Sequence, residues 1–245
     1  MLPCKKNDVA APNAPLQSSS ARYAIFFTPR PDTTLAAFSR SWFGRIGESD
    51  ALDSFADQAP PETKSAPSHP NRYHGLHVAF KAPFALREEK SPDGLNAELQ
   101  RFAAKHEPVS TGPLALVRQG NALALAPQDP ALSVAWLEAQ CINAFDEFSD
   151  ALSAEEREQH FPHLSPYQRL LLESFGDPHA MSEFRFSIRL TGRLEPAKLE
   201  QVAEALAPVL DVICREGIEI DALSLMAAPK SAAPLRVVGR HSLGA

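Results

Sequence analysis

This chain is short of cysteine, basic charge and long apolar runs, and each shortage removes a class of function. Its three cysteines, Cys4, Cys141 and Cys214, are scattered over 245 residues, and no Cys-x-x-Cys occurs. Such a set excludes a disulfide scaffold or a structural zinc framework and fits reduced thiols in a cytoplasmic protein. No stretch approaches the roughly 18 apolar residues that span a bilayer. Lys5 and Lys6 are followed by no apolar segment, so no secretory leader is expected. Acidic residues outnumber basic ones by 30 to 24, giving a net charge of −6. That balance disfavours nucleic acid or anionic lipid as a general partner, although a local basic groove could still take RNA. His74 and His77 lie three apart, which on a strand puts them on opposite faces with no further ligand at metal spacing. No metal and no other cofactor is expected.

What is present suffices for a sizeable core. Hydrophobic residues make up 44% of the chain, enough for one large domain or two fused lobes. Residues 1–20 are rich in Ala, Pro, Ser and Asn and are expected as a disordered tail. Residues 21–228 are expected as a single bilobal domain, and 229–245 as a C-terminal strand and tail. Arg22–Phe27 reads as a buried strand, and Asp32 as the cap of a helix carrying Leu35, Phe38 and Trp42. The proline-rich stretch from Arg45 to Arg72 reads as a long loop. Further helices are expected at Leu95–His106, Pro130–Phe148 (with Leu132, Trp136, Ala139, Ile142 and Phe145 inward) and Pro196–Arg215. Ser165, Pro166 and Gly176 delimit another, and Ser153–Glu156 fits a capping box. Leu114–Val117 and Ala122–Ala126 read as a hairpin, and Gly217–Met226 and Leu235–Val238 as strands.

Two segments look like copies of one strand design: His74–Phe84 and Phe184–Gly192. Period-two alternation puts Leu76, Val78 and Phe80 on one face, with His77, Ala79 and Lys81 on the other. The second copy alternates apolar Phe184, Phe186, Ile188 and Leu190 with Arg185, Ser187, Arg189 and Thr191. Each copy is followed by a helix and a strand pair, a weak internal repeat that predicts a duplicated α+β lobe. If the copies lie side by side, His77 faces Ser187 and Arg189 across a shared groove.

These segments, with Arg22–Phe27 and Trp42–Arg45, resemble the 2H phosphoesterase superfamily. The closer resemblance is to its branch associated with phosphonate metabolism, described mainly as a domain of unknown function. Lys-Ala-Pro-Phe at 81–84 and Phe-Arg-Phe…Leu-Thr-Gly at 184–192 carry it. The resemblance implies an α+β, bilobal, duplicated fold with central antiparallel sheets around a groove and helices outside. In active members each motif supplies an imidazole and, two residues on, a hydroxyl, so one ring takes a proton while the other gives one. This sequence keeps only His77. Ala79 stands in place of the first hydroxyl, Ser187 of the second imidazole and Arg189 of the second hydroxyl. Arginine cannot be deprotonated, and serine without a base is a poor proton carrier.

The resemblance, so modified, implies a catalytically degenerate protein, a pseudoenzyme. It would hold a phosphorylated or phosphonate small molecule in its groove, accessory to phosphonate or nucleotide metabolism. His77 is the catalytic-position residue, with Lys81, Arg185, Ser187, Arg189 and Thr191 as ligand contacts; guanidinium forks suit phosphate oxygens. Two alternatives stand beside this. One is an active phosphodiesterase using His77 alone with Arg189 as charge stabiliser; the other is a protein or RNA interaction module.

Overall fold

A computed structural model of the chain describes residues 21–43, 75–150, 163–230 and 233–244, together with 152, 157 and 161. The expected tail at 1–20, the whole of the expected Arg45–Arg72 loop and the Ser153–Glu156 capping box fall outside them. Among the described residues, no helix is long and apolar enough to cross a membrane.

The architecture is mixed α+β, with antiparallel sheets. The larger sheet has the strand order β10-β9-β1-β2-β6. Its strands are β1 (Arg22–Phe27), β2 (Val78–Leu86), β6 (Ser149–Asp150), β9 (Ala222–Ala228) and β10 (Arg236–Ser242). A second sheet, β4-β5-β7, joins the hairpin β4 (Leu114–Gln119) and β5 (Ala122–Pro127) to β7 (Ile188–Arg189). A two-residue ladder pairs β3 (Val109–Ser110) with β8 (Glu219–Ile220). β1 is buried on both faces, as its sequence predicts. Tyr23, Ile25 and Phe27 enter the main core, while Ala24 and Phe26 pack with Met226, Ala228 and Leu235 in a second cluster.

Among the described residues, five α-helices cover the sheets: α1 (Thr34–Phe43), α2 (Pro92–Ala104), α3 (Leu132–Phe145), α4 (Pro166–Phe175) and α5 (Pro196–Glu216). Local chemistry explains most of their limits. In α4, Ser165 Oγ accepts from Gln168 N at 3.2 Å, and Gln168 Oε1 accepts from Ser165 N at 3.1 Å. Gly176 ends that helix at φ 74°. Asp32 does not cap α1; it pairs with Arg30 at 2.7 Å, and Thr33 Oγ1 accepts from Ala36 N instead. α3 is also rotated from expectation. Val134, Leu137, Glu138, Cys141, Ile142 and Phe145 are buried, whereas Leu132 and Trp136 are 74% and 68% exposed. This helix is apolar on nearly every side, so its period alone selects no face.

β2 departs from the alternation expected of it. Ile25 pairs with Lys81 and Phe26 with Ala79, so β2 takes two steps where β1 takes one. A second irregularity lies between Lys81 and Phe84, opposite Ile25 and Tyr23. Each bulge inserts one residue and reverses the facing of the residues beyond it, and Pro83, with no N–H to give a ladder, is tolerated in the second. Lys81 therefore shares Ile25's face and turns into the core, 2% exposed. It does not line a groove with His77.

The two motif segments are not adjacent strands either. β2 belongs to the five-stranded sheet and β7 to the three-stranded one. Only Ile188 and Arg189 of the second segment pair, with Leu125 and Ala124 of β5.

Candidate functional site

His77 precedes β2, and its ring stacks on Phe26 with centroids 4.8 Å apart. Its Nδ1 donates to the Gly75 carbonyl at 2.9 Å, which leaves Nε2 as the basic nitrogen of the neutral ring. Burial pushes its pKa below 6.5, with the Gly75 hydrogen bond opposing. At neutral pH His77 is therefore an uncharged imidazole of fixed tautomer, suited to accepting a hydrogen bond or a proton but not to attracting an anion. Ala79, where the motif hydroxyl would stand, packs beside Phe26 against the second apolar cluster.

The second segment holds its polar side chains differently. Ser187 Oγ accepts from Gln119 Nε2 at 2.7 Å and has no other hydrogen-bond partner among the described residues. Thr191 is 2% exposed. Its hydroxyl donates to the Gly192 carbonyl at 2.9 Å and accepts from Leu123 N at 3.0 Å, so its one proton is spent inside the fold. Arg185 Nη1 donates to the Ser182 and Phe184 carbonyls at 2.8 and 2.7 Å. Arg189 lies opposite Ala124, exposed, with no hydrogen bond or ion pair among the described residues.

One turn of α1 connects the two segments. Ser39 Oγ accepts from Leu76 N at 3.1 Å, next to His77. Trp42 Nε1 donates to the Leu190 carbonyl at 2.7 Å, next to Arg189. Ser39 and Trp42 are three apart, neighbours on a helix surface. The segments thus converge on α1 without pairing with each other.

A family model described as "Protein of unknown function (DUF1045)" matches residues 79–236. The chain belongs to the DUF1045 family. The matched span runs from Ala79 in β2 to Arg236 at the start of β10; it includes Lys81 and Arg189 and begins just after His77. This DUF1045 chain is also similar to curated proteins named "Ribose 1,5-bisphosphate phosphokinase PhnN". The one from Janthinobacterium sp. (strain Marseille) is 26% identical over 195 residues, covering 75% of this chain and 41% of that protein. The one from Laribacter hongkongensis (strain HLHK9) is 24% identical over 225 residues, covering 88% of this chain and 50% of its own length. The chain therefore spans half or less of these relatives.

Three features of the DUF1045 chain escape sequence reasoning. The first is the buried hydroxyl pair Thr28–Ser224, 2.8 Å apart, with Ser224 opposite Phe26. A lone serine inside the apolar run of β9 was its signal. The second is Lys81, whose Nζ has no hydrogen-bond partner. Burial lowers its pKa, with Cys141, Asp146, Asp177 and Glu138 opposing. The third is a cavity of about 360 Å³ where β1 ends, lined in part by Arg30, Asp32, Glu216, Glu219 and Asp221. Arg30 is already paired with Asp32 at 2.7 Å and lies 3.8 Å from Asp221. Four carboxylates to one engaged guanidinium make this cavity unsuited to phosphate.

Proposed function

We propose that this chain is a non-hydrolysing member of the phosphonate-metabolism machinery. It binds a phosphorylated small molecule, of the pentose bisphosphate class, through Arg189. The observation that carries this reading is the exposed guanidinium of Arg189, unpaired among the described residues, one residue before the Leu190 carbonyl that Trp42 of α1 bonds, while Ser39 of the same turn bonds the His77 segment. A guanidinium fork matches phosphate oxygens bidentately. Arg185 is partly spent on backbone carbonyls and Lys81 is buried away, so the reading rests on fewer cations than the sequence promised.

Family membership and the names of the relatives support the metabolic setting. The 245 residues contain no Gly-x4-Gly-Lys-Ser/Thr, the loop that many kinases use to cradle phosphates. The element order supports a duplicated 2H-like fold: β2-α2-β3-β4-β5 is repeated as β7-α5-β8-β9-β10. The loss of a second imidazole, with Thr191 committed internally, supports the absence of two-base chemistry.

Titration calorimetry of the full chain with ribose 1,5-bisphosphate and with inorganic phosphate tests the proposal. Binding is expected to weaken about tenfold or more in Arg189→Ala, the scale of one charge-assisted pair, and less in Arg185→Ala. No hydrolysis of 2′,3′-cyclic nucleotides above background is expected. Turnover abolished by His77→Ala, with a one-limbed pH profile, would replace this reading with a single-histidine phosphodiesterase.

A further inference from the structure

Glu138 lies on the core side of α3, 2% exposed, with Leu137, Cys141 and Ile142 also buried there. A carboxylate is costly in such surroundings and calls for a partner. Both of its oxygens accept from Met181 N, each at 3.3 Å. Met181 has φ 56°, alone among the described non-glycine residues in the left-handed region. It opens the short 3-10 turn Met181–Glu183, from which the chain passes into Phe184–Arg189. Arg185 closes the far side of that turn through the Ser182 and Phe184 carbonyls. From α4, Tyr167 shares a 2.5 Å hydrogen bond with Ser182 Oγ.

A second, independent observation comes from β2. The Lys81 ammonium, 2% exposed, has no hydrogen-bond partner and no ion pair among the described residues, and its Nζ stands 5.6 Å from the centre of the Phe84 ring. The charges acting on it come from Glu138 on α3, Asp146 just after α3 and Asp177 just after α4, and Cys141 lies beside them. Where Glu138 is ionised, Lys81 and Glu138 attract across the core without closing to salt-bridge distance.

We propose that Glu138 is a positioning residue for the Phe184–Arg189 segment, with Lys81 as its buried counter-charge, and that the pair sets where Arg189 meets a phosphorylated ligand. This rests on the reading of Arg189 given above. Burial pushes the Glu138 carboxyl up to about 8; the Met181 hydrogen bond and, last, Lys81 pull it down, and Asp177 adds to the rise. The contact to Met181 N therefore gains charge assistance as pH rises through that value. Cys141, fully buried, has its thiol pushed up and stays neutral throughout.

Hydrogen exchange on the full chain, corrected for intrinsic rates, is the direct test, alongside phosphate binding at pH 8.5. In Glu138→Leu, exchange across 181–189 should rise tenfold or more while α5 and β9 keep their rates, and phosphate affinity should fall about fivefold. Glu138→Gln keeps an acceptor and should restore protection to within twofold. Wild type should gain protection at Met181 between pH 7 and 9, a gain lost in Glu138→Gln and displaced upward in Lys81→Met. That pH comparison decides the matter even if Glu138→Leu does not fold. A uniform rise in exchange over the whole chain, an unchanged 181–189 segment, or a pH response surviving in Glu138→Gln would overturn the proposal. Phosphate binding absent from wild type, with the exchange pattern as expected, would sink the binding function and leave the positioning role standing.

Discussion

At the scale of single residues, the buried ionisable groups make opposed contributions to stability. Glu138 has a folded pKa of about 8 against an ordinary 4.5, so between those values the native state holds a proton that the unfolded chain has released. Stability is then lost as pH climbs from about 4.5 to 8 and is flat above. His77 and Lys81 act in the other direction. Their folded pKa values lie below 6.5 and 10.5, so each contributes stability that is lost as pH falls through those ordinary values toward the depressed ones. Glu138→Gln removes only the first contribution. Urea denaturation at pH 5, 6.5, 8 and 9 should show wild type losing ground to Glu138→Gln with rising pH, by a few kcal/mol at most. A difference independent of pH would mean that Glu138 does not titrate in this window. None of this was legible from the chain, because Glu138 reads as one polar residue on an apolar helix until its burial is known.

At the scale of elements, legibility tracked how local the deciding physics is. The limits of α4 are set by Ser165, Pro166 and Gly176, all at or next to its ends, and the sequence places them correctly, although not the return bond from Gln168. Replacing Ser165 by alanine should cost about 1 kcal/mol in thermal or denaturant unfolding, because one N-terminal N–H loses its acceptor. The facing of Lys81 was not legible, because the bulges in β2 arise from its pairing with β1, over 50 residues earlier, and alternation within β2 contains no record of them. The face of α3 is not legible in the sequence for a related reason: which side of an apolar helix is buried depends on what packs against it. A junction between elements gives a sharper test. Gly217 ends α5 at φ 75° and ψ −165°, a conformation reached by almost no other residue. A Cβ there would collide with the Gly112 backbone, where Thr111 and Ile218 exchange hydrogen bonds beside the β3–β8 ladder. Gly217→Ala should destabilise the chain by about 1–3 kcal/mol from backbone strain alone, with any clash adding to it.

At the scale of the whole molecule, the expected groove between neighbouring strands is replaced by two sheets brought together at α1. Trp42 is the joint: buried, stacked at 5.9 Å on Phe38, and bonded to the Leu190 carbonyl of the other sheet's edge. Trp42→Phe would keep the apolar body and lose the donor, leaving a buried carbonyl unsatisfied at a cost of about 1–3 kcal/mol. It should weaken phosphate binding as well as stability, because the contact sits one residue from Arg189. Restoring Ala79→Thr, Ser187→His and Arg189→Thr together asks whether this joint still aligns both halves for chemistry. Ala79 is half-buried beside Phe26 and takes a threonine only with a desolvated hydroxyl. Ser187 is exposed enough, beside Gln119, for an imidazole to enter without displacing the core. The triple variant should therefore fold, lose the phosphate affinity that Arg189 supplies, and gain measurable hydrolysis of 2′,3′-cyclic nucleotides that depends on His77. Adding Trp42→Phe should then depress that gained activity more than it depresses folding, since two bases act together only within a narrow geometry. A folded triple variant that keeps wild-type phosphate affinity would show that the ligand does not meet Arg189. One that stays inert would show that α1 holds the two segments in a binding geometry from which the catalytic one has been lost.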